Sequence, residues 1–161
     1  MYRPFQTITD PSEQVGVLRD RRYGVVEMSA GRLIGVHLRP WPKIISLTEI
    51  WCVGRWAHRR LSGDRCWLYY NQPLSCSNYL ALPYVVSSRD GSLASFHGAL
   101  VVLDEIARIK QSDAILCDVT NGRISDRLMN RWGWDRHVLD SPRRHYIKRF
   151  YGMYPAPQCV W

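Results

Sequence analysis

The sequence predicts an α/β (α+β) domain in which strands lead into a long central helix and a buried strand follows it. The first observation is the spacing of Leu93, Phe96, Leu100, Leu103 and Ala107, with Val102 and Ile106 widening the stripe. Apolar positions three or four apart commit one face of a helix to a core. The second is the apolar run Ala114 to Val119, the pattern of a strand covered on both sides. The third is the series of β-branched and aromatic runs upstream of the helix, separated by turn residues.

The chain has 161 residues, enough for one full core and too few for two ordinary domains. We expect an irregular segment over 1–22, a single domain over 23–152 and a tail over 153–161. Pro4, Pro11 and the charged run Arg19 to Arg22 motivate the first boundary, and Pro155 and Pro157 the last. Tyr23 to Met28 and Arg32 to Arg39 read as a hairpin around Ser29-Ala30-Gly31, whose glycine accepts a positive φ. Leu47 to Leu61 has helical spacing, with Ser46 or Thr48 as cap, although Gly54 weakens it. Arg65 to Tyr70 and Tyr79 to Ser87 read as two more strands, and Pro83 marks a bulge or a missing ladder bond in the second.

After the turn Ser88-Arg89-Asp90-Gly91 comes the central helix. Asp104 stands four residues before Arg108, the favoured order on a solvated face, and Lys110 lies in the last turn, where the dipole favours a cation. Asp118, Thr120, Asn121 and Gly122 cap a further helix from about Arg123 to Trp132. Brief strands follow near His137 and from Arg144 to Tyr151.

A formal net charge of +8 favours an anionic partner such as phosphate, nucleic acid, a nucleotide cofactor or an acidic protein, or else is a basic solvated surface. Five scattered cysteines with no CxxC pair argue against a disulfide scaffold or zinc ribbon and suit a reducing cytoplasm. Nothing approaches the ~20 apolar residues of a membrane span, and the first residues have no signal-peptide core. His37, His58, His97, His137 and His145 form no HxxxH or HExxH pattern, so no metal centre is expected. A soluble, cytoplasmic protein is the expectation.

The head of the central helix carries a candidate anion site, because unpaired amides and the dipole at a helix N-terminus attract negative charge. That site comprises Arg89, Gly91, Ser92 and Ser95, with His97 and Gly98; a turn and helix cap explain Asp90-Gly91-Ser92 equally well. His97 reads either as a phosphate contact or proton donor, or as packing. Arg143 to Arg149 interleaves basic and aromatic residues, which fits a nucleic-acid surface or an edge strand guarded by cations.

In its second half the chain resembles the GCN5-related N-acetyltransferase (GNAT) superfamily. The resemblance rests on DAILCDVTNGRISDRLMNRWGWDRH followed by RRHYIKRFYG, with Asn121, Ser125, Leu128, Gly133 with Trp134, and Tyr146 or Phe150 at the family's positions, and covers Tyr79 to Gly152. It implies a mixed, mostly antiparallel twisted sheet with helices on both faces. It also implies an acyl-CoA wedged where two parallel strands splay, and transfer of its acetyl or acyl group to an amine. Acetyl-CoA or another acyl-CoA would be the co-substrate, with no metal, and Asn121 would join the helix-head residues in holding it. The backbone amides of Val86 and Ser87 become the oxyanion candidates. Acyl transfer also needs a base for the amine proton, for which Glu27 and Glu49 are the candidates beside His97. The sequence departs from the family twice. Its Gln/Arg-x-x-Gly-x-Gly/Ala loop is absent, with Leu93 and Phe96 where the basic residue and first glycine belong. Met129 stands where many members carry a general-acid tyrosine.

Overall fold

The computed structural model of the chain describes residues 5–43 and 62–158. The strands are β1 (Gln6–Ile8), β2 (Tyr23–Ser29), β3 (Arg32–Arg39), β4 (Arg65–Asn71), β5 (Tyr79–Ser87), β6 (Ala114–Val119), β7 (Asp135–His137) and β8 (Arg144–Arg149). The helices are α1 (Val15–Asp20), α2 (Leu93–Lys110) and α3 (Asp126–Arg131). The strands form one mixed sheet in the order β1-β3-β2-β4-β5-β6-β8-β7, in which β5 and β6 pair in parallel and every other neighbour pairs antiparallel. This is the α+β class that the sequence predicts. The helix expected over Leu47 to Leu61 lies outside the described residues.

The β2–β3 hairpin turns on Ala30 and Gly31, both at positive φ (49° and 76°), the backbone of the two-residue turns that match strand twist. Residues 1–22, expected to be irregular, supply β1 and α1 and bury Ile8 and Leu18 completely. β1 covers the free edge of β3, which is why so short a strand persists. Leu18 of α1, the length of α2, Met129 of α3 and Trp134 share one core with Val26, Met28, Leu68 and Ile115 of the sheet.

The central helix is more enveloped than one apolar stripe requires. Leu93 is exposed, whereas Val102, Leu103, Ile106 and Ala107 are fully buried. Asp104 does not form the solvated pair with Arg108 that its spacing suggests. It is buried and holds Lys148 of β8 at 2.6 Å, and Arg108 bonds Glu105 instead. Lys110 donates to the carbonyls of Arg19 and Arg21 at 3.2 and 2.6 Å and to Gln72 Oε1 at 3.1 Å. Burial, and then the nearby Arg22, bring its pKa down to about 8.

β8 is not the edge, contrary to the reading of its cations as edge guards: it lies between β6 and β7, and Arg144, His145, Tyr146 and Lys148 all have partners on other elements. Lys148 pairs with Asp104, Tyr146 donates to Asp126, and His145 bonds Asp118. α3 begins later than its sequence suggested. Ser125 accepts from Leu128 N at 3.2 Å as its cap, while Asn121 Oδ1 accepts from Arg123 N at 2.9 Å to make a local turn. Asn and Ser both cap and both turn, so composition alone does not place the boundary.

Gly98 lets α2 approach the hairpin: a Cβ there would lie 2.7 Å from Met28 Cε and 3.5 Å from the Gly31 carbonyl. Gly98→Ala is expected to stay within about 1 kcal/mol of the native stability, because the Met28 tip yields and alanine favours a helix. Gly98→Leu is expected to cost about 1–3 kcal/mol through overpacking. Urea unfolding of both variants checks this, and equal losses would mean that contact with Met28 does not set the residue size.

Candidate active site

The site is built around the place where β5 and β6 part. Their parallel pairing runs from Tyr79 and Ala114 to Leu82 and Cys117 and stops there, although β5 continues to Ser87 and β6 to Val119. Pro83 follows Leu82 directly, and the β4–β5 register slips over the same stretch, between Tyr69 and Asn71 of β4. A residue with no N–H to donate, beside a bulge, ends the ladder. Ser88 N donates to the Arg65 carbonyl at 2.9 Å. Since N–H directions alternate along a strand, the Val86 amide is turned into the β4 ladder, and the amides of Val85 and Ser87 are turned to the β6 side. Of the two oxyanion candidates, the Ser87 amide is thus turned toward the β6 side and the Val86 amide away from it.

The head of α2 stands beyond this opening, and it holds a carboxylate that the sequence did not reveal. Asp64 accepts from Ser92 N at 2.8 Å and from Ser92 Oγ at 2.6 Å. Burial works to raise its pKa, but the hydrogen bonds from Ser92, and then Ser95, hold it below the usual carboxylate range. Ser92 Oγ also caps Ser95 N at 3.1 Å, while Ser95 Oγ is fully buried and accepts from Gly31 N at 2.9 Å. Ser92, Ser95 and Gly98 thus fasten the helix to Asp64 and the hairpin. A Cβ on Gly91 would lie 2.9 Å from the Ser88 carbonyl, so this glycine serves the turn. The first-turn amides of Leu93 and Ala94 keep no partner among the described residues, with Arg89 exposed nearby.

His97 stacks on Trp132 with ring centroids 4.7 Å apart. Burial, and then the charge of Lys148, lower its pKa. It lines a cleft of about 280 Å³ with Asp104, Lys148, Trp132 and the tail from Pro155 to Gln158. Met129 is fully buried in the core, which suits a methionine and would not suit a proton donor to solvent. Cys66 and Cys117 are buried with pKa values pushed up to about 12, first by burial, so both thiols stay protonated. Among the described residues no group of three His, Cys, Asp or Glu is placed to hold a metal ion.

Glu27 lies on the other face of the sheet from α2, so the structure does not bring it to His97. It shares a register row with Trp67 and Val86. Its Oε2 bonds His37 Nε2 at 2.8 Å, Thr7 Oγ1 lies 2.9 Å from His37 Nδ1, and Arg65 stands 4.0 Å from Oε1. Burial works to raise the Glu27 pKa, but hydrogen bonds from His37 and Trp67 bring it below the usual value, and the carboxylate is ionised at neutral pH. Tyr69 and Tyr84 meet on this face, 5.9 Å between centroids, with the Lys43 ammonium over both rings. Glu49 lies outside the described residues.

Among solved structures, the crystal structure of nourseothricin acetyltransferase aligns over 91% of this chain and 99% of that chain, at 10% identity and a TM-score of 0.43. No family model and no curated protein matches the sequence. Among the described residues no helix is long and apolar enough to cross a membrane.

Proposed function

We propose that this chain is a divergent acyl-CoA-dependent N-acyltransferase that carries an acetyl or other acyl group from a CoA thioester to an amine. The observation that carries this reading is the parting of β5 from β6 after Leu82 and Cys117, beside the head of an 18-residue helix. An extended chain bearing amides, such as pantetheine, can take the place of a missing strand by accepting and donating ladder hydrogen bonds. The amides of Leu93 and Ala94, with Arg89, offer a reduced anion site for the pyrophosphate. Glu27 serves the amine side of the opening. Titration calorimetry with CoA and acetyl-CoA tests the reading, and absence of heat at submillimolar ligand would count decisively against it.

Asp64 supplies a sharper expectation. Its carboxylate bonds Ser92, next to the Leu93 and Ala94 amides offered to the pyrophosphate, and one negative charge about 4 Å from another costs about 1 kcal/mol even in water. Asp64→Asn, which retains an acceptor for Ser92, is therefore expected to tighten CoA binding roughly fivefold, measured by the same calorimetry. Weaker binding in the variant would place the pyrophosphate elsewhere.

A second reading is an inactive relative that binds nucleic acid through its basic surface. It is favoured by the buried Met129 and by Arg123, Arg127, Arg131 and Arg143, all exposed on and around α3 and the hairpin that precedes β8. That reading requires affinity for DNA or RNA that falls steeply with salt, read by fluorescence anisotropy.

A further inference from the structure

We infer that Ser141, His145 and Asp118 form a second reactive site, a serine nucleophile with its base and orienting carboxylate, suited to small carboxylic esters or thioesters. His145 on β8 stands directly across from Asp118 on β6, and the ring lies between them and the β7–β8 loop. Its Nδ1 bonds Asp118 Oδ1, and its Nε2 lies 3.1 Å from Ser141 Oγ. A carboxylate can only accept, so the shared proton is on Nδ1 and the Nε2 lone pair faces the hydroxyl. Ser141 Oγ also accepts from Arg143 N at 3.2 Å, which directs its own proton toward Nε2. These are the roles by which such a triad is recognised, whatever the fold or residue order.

The backbone explains why the three groups meet. The loop after β7 closes with Ser141 N donating to the Val138 carbonyl at 3.1 Å, with Val138 at positive φ (55°). Arg144 ties the base of β8 to the loop after β6 through the carbonyls of Ile124 and Asn121, at 2.6 and 2.7 Å. Asp118 is also the first β6 residue beyond the last pair with β5, so the site faces the same opening of the sheet. His137 is the register neighbour of His145 on β7, on the same face of the sheet. Val138 and Leu139, 54% and 75% exposed, give the acyl chain an apolar rim.

In the reaction, Ser141 Oγ bonds to the carbonyl carbon as its proton passes to His145 Nε2. The C–S or C–O bond then breaks, and the departing thiolate or alkoxide takes that proton. Water attacks the acyl-serine with His145 again taking a proton, the carboxylic acid leaves, and the proton returns to Ser141 Oγ. This chemistry does not require CoA to bind, so its success or failure is separable from that of the acyltransferase reading.

The test uses the full chain with a fluorophosphonate, read by intact mass and peptide mapping, and p-nitrophenyl acetate turnover. One adduct is expected, on Ser141, absent in Ser141→Ala and formed at least about 10²-fold more slowly in His145→Gln. Thermal midpoints of both variants, expected to match the native value, exclude unfolding as the cause. No adduct at Ser141, or equal labelling rates in His145→Gln and the native chain, would overturn the assignment even if CoA binds normally.

Discussion

Replacing Lys148 by methionine is expected to destabilise the protein by about 3–5 kcal/mol at neutral pH, the usual cost of leaving one member of a buried ion pair alone. Asp104 and Lys148 are each 11% exposed at the side chain, and Asp104 Oδ1 has no partner among the described residues, so Lys148 is what compensates the carboxylate. Burial raises the Asp104 pKa and Lys148 opposes the rise. A carboxyl whose pKa is higher folded than unfolded favours the fold when protonated. That contribution is present below the unfolded value of about 3.9 and is lost as pH rises through the folded value. Removing Lys148 moves the folded value higher still, so the deficit of Lys148→Met should be smallest near pH 4 and grow toward pH 7. Urea midpoints at several pH values measure it. A deficit independent of pH would show that lost packing, not the stranded charge, is responsible. The double replacement Asp104→Leu with Lys148→Met is expected to recover most of the loss, since apolar pairs often substitute for buried ions without penalty.

That pair also shows what the sequence could and could not reveal. The period of the helix stripe and the Ala114 to Val119 run are local patterns, and α2 and β6 lie where those patterns place them. The Ala30-Gly31 turn and the Pro83 interruption were legible for the same reason, because each depends on the chemistry of one or two residues. The partner of Asp104 is 44 positions away on another element, and a helical i,i+4 neighbour offered a simpler, incorrect account. Asp64 was missed likewise: nothing in Ser62-Gly63-Asp64 announces that its carboxylate will occupy a helix head 28 residues later. Ser92, Ser95 and Gly98 read in the sequence as an anion site, and small polar residues at a helix head fit a phosphate cradle or a clamp equally well. In the fold, Ser95 and Gly98 meet the β2–β3 hairpin, a contact 64 residues away for Ser95 that no local pattern announces. β8 misled for a related reason, since Lys148, His145 and Tyr146 answer to carboxylates on three other elements and not to an open edge.

Glu27→Gln is expected to reduce acyl transfer about 10²-fold, the scale of losing one group that handles the amine proton. Glu27 stands in the row of Trp67 and Val86, two strands from β5, or about 10 Å at ordinary strand spacing. Under the proposed acyl transfer, an amine entering from this face would pass the carboxylate on its way to β5. Because hydrogen bonds from His37 and Trp67 keep its pKa low despite burial, Glu27 is charged across the neutral range. It is therefore suited to hold an ammonium and pass its proton to solvent. The substitution keeps the size and an acceptor, so folding should survive at pH 7. The stability that the charged form supplies is present above the unfolded glutamate value and is lost as pH falls through the lower folded one. The native chain should thus lose stability on acidification below about pH 4, and Glu27→Gln should lose less. Free-thiol release from acetyl-CoA across a panel of primary amines provides the rate, and calorimetry should show CoA affinity unchanged. Loss of CoA binding together with turnover would make Glu27 a structural support, and full turnover in the variant would remove it from the amine's path.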